Sequence, residues 1–151
     1  MDGHLLEQVL RRKSMAKTYE HVVQYYETDK MGITHHSNYI RWMEEARVDF
    51  LNKIGWGFDR LEAQGIVSPV VAVECHYKAT TTFPEVIRIT VSIEEFKGVK
   101  LKLKYNMLNS EDKVVCVGRS EHCFLGADGR PVRLNRELPD FYKAITELAE
   151  T

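Results

Sequence analysis

No apolar run in the chain approaches the roughly 20 residues that cross a bilayer, so membrane insertion is not expected. The opening residues MDGHLLEQVLRRKS lack the roughly 7–15-residue apolar core of a secretory signal, and export is not expected either. A basic surplus is also missing: 21 Lys and Arg stand against 22 Asp and Glu, a formal net charge of −1. A general nucleic-acid binder needs excess positive charge on one face to neutralise phosphates. Nucleic acid is therefore not an expected partner, and any anionic ligand must be met by a local patch. Cysteine is scarce, with Cys75, Cys116 and Cys123 forming no C-x-x-C pair. An odd count at that spacing predicts free thiols in a reducing cytoplasm, and their apolar surroundings predict packing roles. Metal-ligand spacing is absent as well. His35 and His36 are adjacent, but His21, His76 and His122 are scattered among strand-like segments, so no metal site is expected.

What remains is a chain of ordinary globular composition, 151 residues with 44% hydrophobic and 28% charged side chains, enough for one domain with a single core. Residues 1–16 do not join the pattern that follows, and Met15 reads like a second start. They are expected to be an extension, either added to the natural chain or folded as a short amphipathic helix through Leu5, Leu6, Val9 and Leu10. Arg11, Arg12 and Lys13 hint at DNA contact, but so short a segment cannot hold a helix-turn-helix. The domain proper is residues 17–151.

From Lys17 to Glu27, Tyr19, His21, Val23 and Tyr25 alternate with Glu20 and Gln24, the period-two pattern of a half-buried strand. Gly32 supplies a turn. Thr34 or Ser37 then caps a helix whose apolar positions Tyr39, Met43, Ala46, Phe50 and Ile54 recur every three or four residues, with Gly55 as its stop. Trp42 and Leu51 widen that stripe, as expected of a helix wrapped by a sheet. A short turn of helix over Phe58 to Gln64 ends at Gly65. After Pro69, four alternating runs follow, over residues 71–77, 87–94, 99–107 and 114–125. Their short links impose antiparallel neighbours, because a parallel crossover takes a dozen or more residues. A final helix from about Pro139 to Glu150 carries Phe141, Ile145, Leu148 and Ala149 on one stripe. The class is α+β: an antiparallel sheet of five or six strands around one long helix, with a C-terminal helix.

Within that order the stretch YYETDKMGITHHSNYIRWMEEAR, residues 25–47, resembles the hotdog-fold acyl-CoA thioesterases of the 4-hydroxybenzoyl-CoA thioesterase-like family. The likeness rests on an aromatic before Asp29, a glycine three residues on at Gly32, a histidine seven residues on at His36, and Asn38-Tyr39 opening the helix. It extends by element order over residues 17–148. The resemblance implies hydrolysis of an acyl-CoA thioester with no metal or redox cofactor, coenzyme A being part of the substrate. It also implies a homodimer or homotetramer with active sites between paired subunits. Asp29 falls on the catalytic carboxylate, acting as nucleophile or general base, and the backbone amide at His36 falls on the donor to the thioester oxygen. Helix starts offer unpaired N–H groups and partial positive charge, suited to an oxyanion. The His36 ring can orient Asp29 or protonate the leaving thiolate. Gly32, Ile33, Asn38 and Tyr39 are the expected substrate-binding turn and pocket floor.

Other residues carry bland readings beside sharper ones. Asp29 alone would be an ordinary turn residue. Glu45, nine residues past His36, matches the helix carboxylate of another hotdog branch, but Ser37-Asn38 replaces that branch's glycine pair, so pairing with Arg41 or Arg47, or a place in an interface, is expected instead. Lys97 and Lys100, beside Gly98, are expected to meet the phosphates of coenzyme A, with Lys102 and Lys104 on a solvated strand face. Trp42, Phe50, Trp56 and Phe58 are expected in the core, the last two with a possible lining role in an acyl tunnel. The rival functions are a non-catalytic acyl-CoA or acyl-carrier-protein binding module, and a hotdog hydratase or dehydratase. The D-x-N-P-x-H and H-F-P runs expected of the latter are absent.

Overall fold

The computed structural model describes residues 2–8 and 17–149. Five strands, β1 (Thr18–Val22), β2 (Val70–Tyr77), β3 (Val86–Phe96), β4 (Lys100–Leu108) and β5 (Val114–Cys123), form one antiparallel sheet in the order β1-β3-β4-β5-β2. Helix α1 (Ser37–Lys53) packs against one face of it, followed by α2 (Phe58–Ala63). The helical turn α3 (Leu134–Glu137) and α4 (Pro139–Ala149) complete the chain. The α+β class, the single antiparallel sheet and the long helix within it are those read from the sequence.

Period-two alternation decides which face each strand buries. Ile87, Ile89 and Val91 of β3 and Leu101, Leu103, Tyr105 and Met107 of β4 face inward, where Trp42, Met43, Ala46 and Phe50 of α1 meet them. Fully burying a side chain of this size contributes roughly 1.5–3 kcal/mol, so this layer is the main source of stability. Helix α4 adds Phe141, Ile145 and Leu148, with Phe141 against Trp56 and Phe124. The inner row of β5 differs: Cys116, Gly118, Ser120 and His122 are small or polar. Gly118 leaves room for Met43, whose sulfur would lie 2.8 Å from any added Cβ.

Three local differences from the sequence reading have physical causes. The first strand stops at Val22, and Tyr25–Glu27 is a 3₁₀ turn, because the Glu27 carboxylate folds back to accept the Gln24 amide at 2.8 Å. Neither Thr34 nor Ser37 caps α1; His36 occupies the cap position in helical conformation with no side-chain cap. Thr34 is instead spent on Thr81, its hydroxyl 2.6 Å from the Thr81 hydroxyl. The expected apolar face of β2 is also largely uncovered, with Val70, Val71, Val73 and Tyr77 all exposed. Residues 3–8 are helical, with Leu5 and Leu6 exposed. Val9, Leu10, Arg11, Arg12, Lys13 and Met15 lie outside the described residues.

Candidate active site

Residues 27–35 make a small hairpin ahead of α1. The His35 amide donates to the Glu27 carbonyl at 2.9 Å, Thr28 bridges Thr34, and the Asp29 amide donates to the Ile33 carbonyl at 2.8 Å. At the tip, the Gly32 amide reaches the Asp29 carbonyl at 2.9 Å and the Met31 amide reaches Asp29 Oδ1 at 2.8 Å. Gly32 has φ of 79°, a conformation open to glycine at little cost. The half-buried Asp29 therefore stands on a short turn held by its own hydrogen bonds.

The exit of this hairpin is the start of α1. Among the described residues no acceptor engages the His36 amide. The His36 carbonyl, by contrast, receives the Tyr77 hydroxyl from β2 at 3.0 Å. Burial and the neighbouring Cys75 push the Tyr77 phenol up to about 12, so it stays a donor. The Asn38 side-chain amide reaches the Glu27 carbonyl at 2.9 Å, and Tyr39, buried, sets its hydroxyl 2.9 Å from that of Thr81. The segment preceding β3 closes the frame: Thr81 accepts the Thr34 amide at 2.9 Å and the Thr82 hydroxyl donates to the Gly32 carbonyl at 2.7 Å.

Beneath the turn lies Glu27, a buried acid that the sequence reading passed over as a strand residue. Its oxygens accept from the Gln24 amide, the Trp42 indole at 2.7 Å and His21 at 2.7 Å. Burial favours the neutral acid, yet these donors outweigh it and hold the carboxyl below the ordinary range. A buried tryptophan N–H needs an acceptor, and that requirement of Trp42 was the available signal. His21 also reaches Glu45 at 3.0 Å, and Glu45 takes the Tyr19 hydroxyl at 3.0 Å. Glu45 thus pairs with β1 rather than with Arg41 or Arg47.

Asp29, Gly32, Ile33, His36, Asn38 and Tyr39 are brought together in one hairpin and helix start. Lys97 and Lys100 are not. The turn packs at the Val86 end of β3, where Val23 bonds Glu85, and the lysines follow the Phe96 end. The eleven residues of β3 separate them by about 33 Å at 3.3 Å per residue. Lys97 pairs with Glu95 at 2.8 Å and Lys100 with Glu121 at 3.7 Å. Lys102 also bridges Glu95 and Glu121, as its solvated-face reading anticipates. Trp56 is core, with Arg60 stacked 3.5 Å from its ring, whereas Phe58 lines a cavity beside Arg47. Among the described residues no cluster of three His, Cys, Asp or Glu side chains has metal-holding geometry, and no helix is long and apolar enough to cross a membrane.

Residues 23–147 match the family model described as the thioesterase-like superfamily. The structure overlays with a TM-score of 0.83 on a DHNA-CoA thioesterase from Staphylococcus aureus, 32% identical over 89% of this chain and 91% of that one. The gentisyl-coenzyme A thioesterase BH1999 is 26% identical with a TM-score of 0.73, over 82% of this chain and 99% of that one. In sequence, YneP of Bacillus subtilis strain 168, provisionally named an acyl-CoA thioesterase, is 30% identical over 81% of this chain and 89% of its own length. The chain belongs to the thioesterase-like superfamily and has its hotdog fold. Within it, the chain is an enzyme of the thioester hydrolase type.

Proposed function

We propose that the chain hydrolyses acyl-coenzyme A thioesters at the hairpin of Asp29 and His36. The observation that carries the reading is the unengaged His36 amide at the start of α1, on the same hairpin as a half-buried carboxylate. The thioester oxygen accepts from that amide, and the carbonyl carbon takes either the Asp29 carboxylate or a water whose proton passes to Asp29. As the tetrahedral centre forms, charge on its oxygen grows against the helix start, an interaction that strengthens toward the transition state. Collapse breaks the carbon–sulfur bond. The thiolate leaves and takes a proton, for which the exposed His36 ring lies alongside. In the nucleophile route water then cleaves the acyl–Asp29 anhydride; in the general-base route the acid forms directly. Tyr25, Tyr26, Met31 and Phe83, exposed around the turn, offer an apolar rim for the arm of the substrate. Lys97 and Lys100 have no part in this reading within one chain.

The test is release of free thiol from a panel of acyl-CoAs by the purified protein. Turnover of at least one, without cleavage of the matching oxygen ester, is expected; no thiol release from any would overturn the reading.

A second copy belongs to the same proposal. Strand β2 ends the sheet with Val70, Val71 and Val73 exposed, an edge that pairs readily with another strand unless covered. Tyr77 of this strand holds the His36 carbonyl, so covering β2 also buttresses the site. Light scattering on a sizing column should give a multiple of 17.5 kDa, and Val71→Lys should lower that mass. A parent protein that runs as a monomer contradicts it. The three cysteines are free thiols, which fits a reducing compartment such as the cytoplasm.

A further inference from the structure

Eleven residues beyond His36, on the same face of α1, Arg47 is only 8% exposed. Among the described residues it forms no ion pair, and its Nε has no hydrogen-bond partner. Glu44, three residues back, attracts it at longer range without bonding it, and a buried cation with no bonded counter-charge is costly. Among the described residues its hydrogen-bonding neighbour is His122, whose Nδ1 lies 2.7 Å from Arg47 Nη1. His122 Nε2 is 2.6 Å from Ser120 Oγ, which is 2.8 Å from the Tyr105 hydroxyl. Burial and the Arg47 charge pull the His122 ring down to about 3, so it is neutral and offers hydrogen bonding but no compensating charge.

Arg47 lines a cavity of about 260 Å³ between α1 and the sheet, together with Ile40, Met43, Val70, Val73, the buried Ser120 and Tyr105, and the exposed Arg41. Glu44 stands at the rim, exposed and without an ion pair to Arg47 among the described residues. Ile40 is one helical turn from His36. The cavity therefore begins at Ile40, one turn past the free amide, and extends along α1 to Arg47, which lies about 16 Å from His36 by helical rise. The guanidinium carbon lies 5.5 Å from the centroid of the Phe58 ring, and the helical rise sets the reach, that of a medium-to-long acyl chain.

We propose that Arg47 determines acyl specificity by receiving a carboxylate at the end of the acyl group remote from the thioester, so that ω-carboxyacyl thioesters are the preferred substrates. The guanidinium binds that carboxylate from the apolar cavity while Ser120 and His122 hold Arg47 in place. The proposal rests on the thioesterase reading above, with the thioester at the His36 amide. Val70 and Val73 belong to the edge strand, so a second copy on β2 closes the cavity from outside.

The experiment compares adipoyl-, suberoyl- and sebacoyl-CoA with hexanoyl-, octanoyl- and decanoyl-CoA. The parent enzyme is expected to favour at least one ω-carboxyacyl substrate in kcat/KM by roughly tenfold or more, as a hydrogen bond to a charged group sustains. Arg47→Met should bring that ratio to about one, chiefly through KM, while retaining turnover of the neutral chain. Arg47→Lys, which keeps the charge, should recover part of it. Should Arg47→Met fail to fold, the parent ratios still decide: neutral chains preferred at every length overturn the proposal. Equal loss of both substrate classes together with a lower oligomeric mass also overturns it, because Arg47 would then be answered by the second copy. Turnover of no acyl-CoA at all counts against the thioesterase reading itself.

Discussion

Asp29→Asn is expected to lower kcat for acyl-CoA hydrolysis by about 10²–10⁴-fold, the range a positioned acid–base group contributes, with KM and thermal midpoint nearly unchanged. The substitution suits the site because the tip of the hairpin asks only for an acceptor at Oδ1, where the Met31 amide bonds at 2.8 Å. An asparagine carbonyl meets that need. The remaining bonds of the turn, from the Asp29 amide to Ile33 and from the Gly32 amide to the Asp29 carbonyl, are backbone. What the variant loses is the charge and the ability to attack carbon or accept a proton from water. Steady-state thiol release alongside a melting curve is the measurement. Parent-like kcat in a folded variant would remove Asp29 from the mechanism and leave the His36 amide as an oxyanion donor in search of another base. Single turnover in ¹⁸O-water then tests the nucleophile route. Label entering Asp29 marks the anhydride, opened at the Asp29 carbonyl; label confined to the product acid is delivered both by direct attack of water and by opening of the anhydride at the acyl carbonyl.

The second large effect concerns acid stability through His122. Its ring is fully buried, faces Arg47 and Ser120, and holds its pKa near 3 against an ordinary 6.5. Burial contributes most and the neighbouring guanidinium adds to it. Because the folded value is lowered, the unfolded chain binds a proton below about pH 6.5 that the folded chain refuses. Stability is therefore intact above that pH and falls as pH drops toward 3, with a slope near 1.4 kcal/mol per unit for one proton. Between pH 7 and 4.5 the loss is about 2–3 kcal/mol. His122→Asn should be less stable at pH 7, having lost its fit with Arg47, yet show a flatter decline over that interval in urea titrations. Identical slopes in parent and variant would contradict the assignment. Glu27 governs a separate, lower window. Its carboxyl is held below the ordinary 4.5, so its contribution is present above that value and disappears only as pH falls further. The flattening should thus be confined to the upper part of the acid limb.

Much of the architecture is legible because it depends on periodicity. The alternation over residues 87–94 and 99–107 and the three-to-four spacing of Tyr39, Met43, Ala46 and Phe50 each bury one face wherever the chain is placed, and the observed core follows them. The hairpin of Asp29 is legible for a different reason, since Gly32 and the helix start are local features. What periodicity misreads is a residue whose partner is distant. Thr34 looks like a cap because hydroxyls cap helices, yet Thr81, forty-seven positions on, captures it. Glu27 looks like the last residue of the first strand until Trp42 and His21 supply donors for it. Ser120 and His122 fall on the inner face by count, which local sequence marks as unusual, but the cation they meet comes from the middle of α1. Lys97 and Lys100 raise the same difficulty: proximity to a glycine turn says nothing about which end of an eleven-residue strand that turn occupies.

The strand order carries a consequence for how the enzyme comes into being. Strands β3, β4 and β5 are consecutive neighbours joined by tight turns, whereas β1 reaches over α1, α2 and β2 to join β3, and β2 spans β3 and β4 to join β5. Closing those long loops costs chain entropy before any contact rewards it, so the central meander is favoured to form early and the two flanks late. Tyr77, Thr81 and the Asp29 hairpin all lie on or between the late flanks. The support that Tyr77 gives the His36 carbonyl and Thr81 gives Thr34 is accordingly acquired at the end of folding, after the central meander has formed.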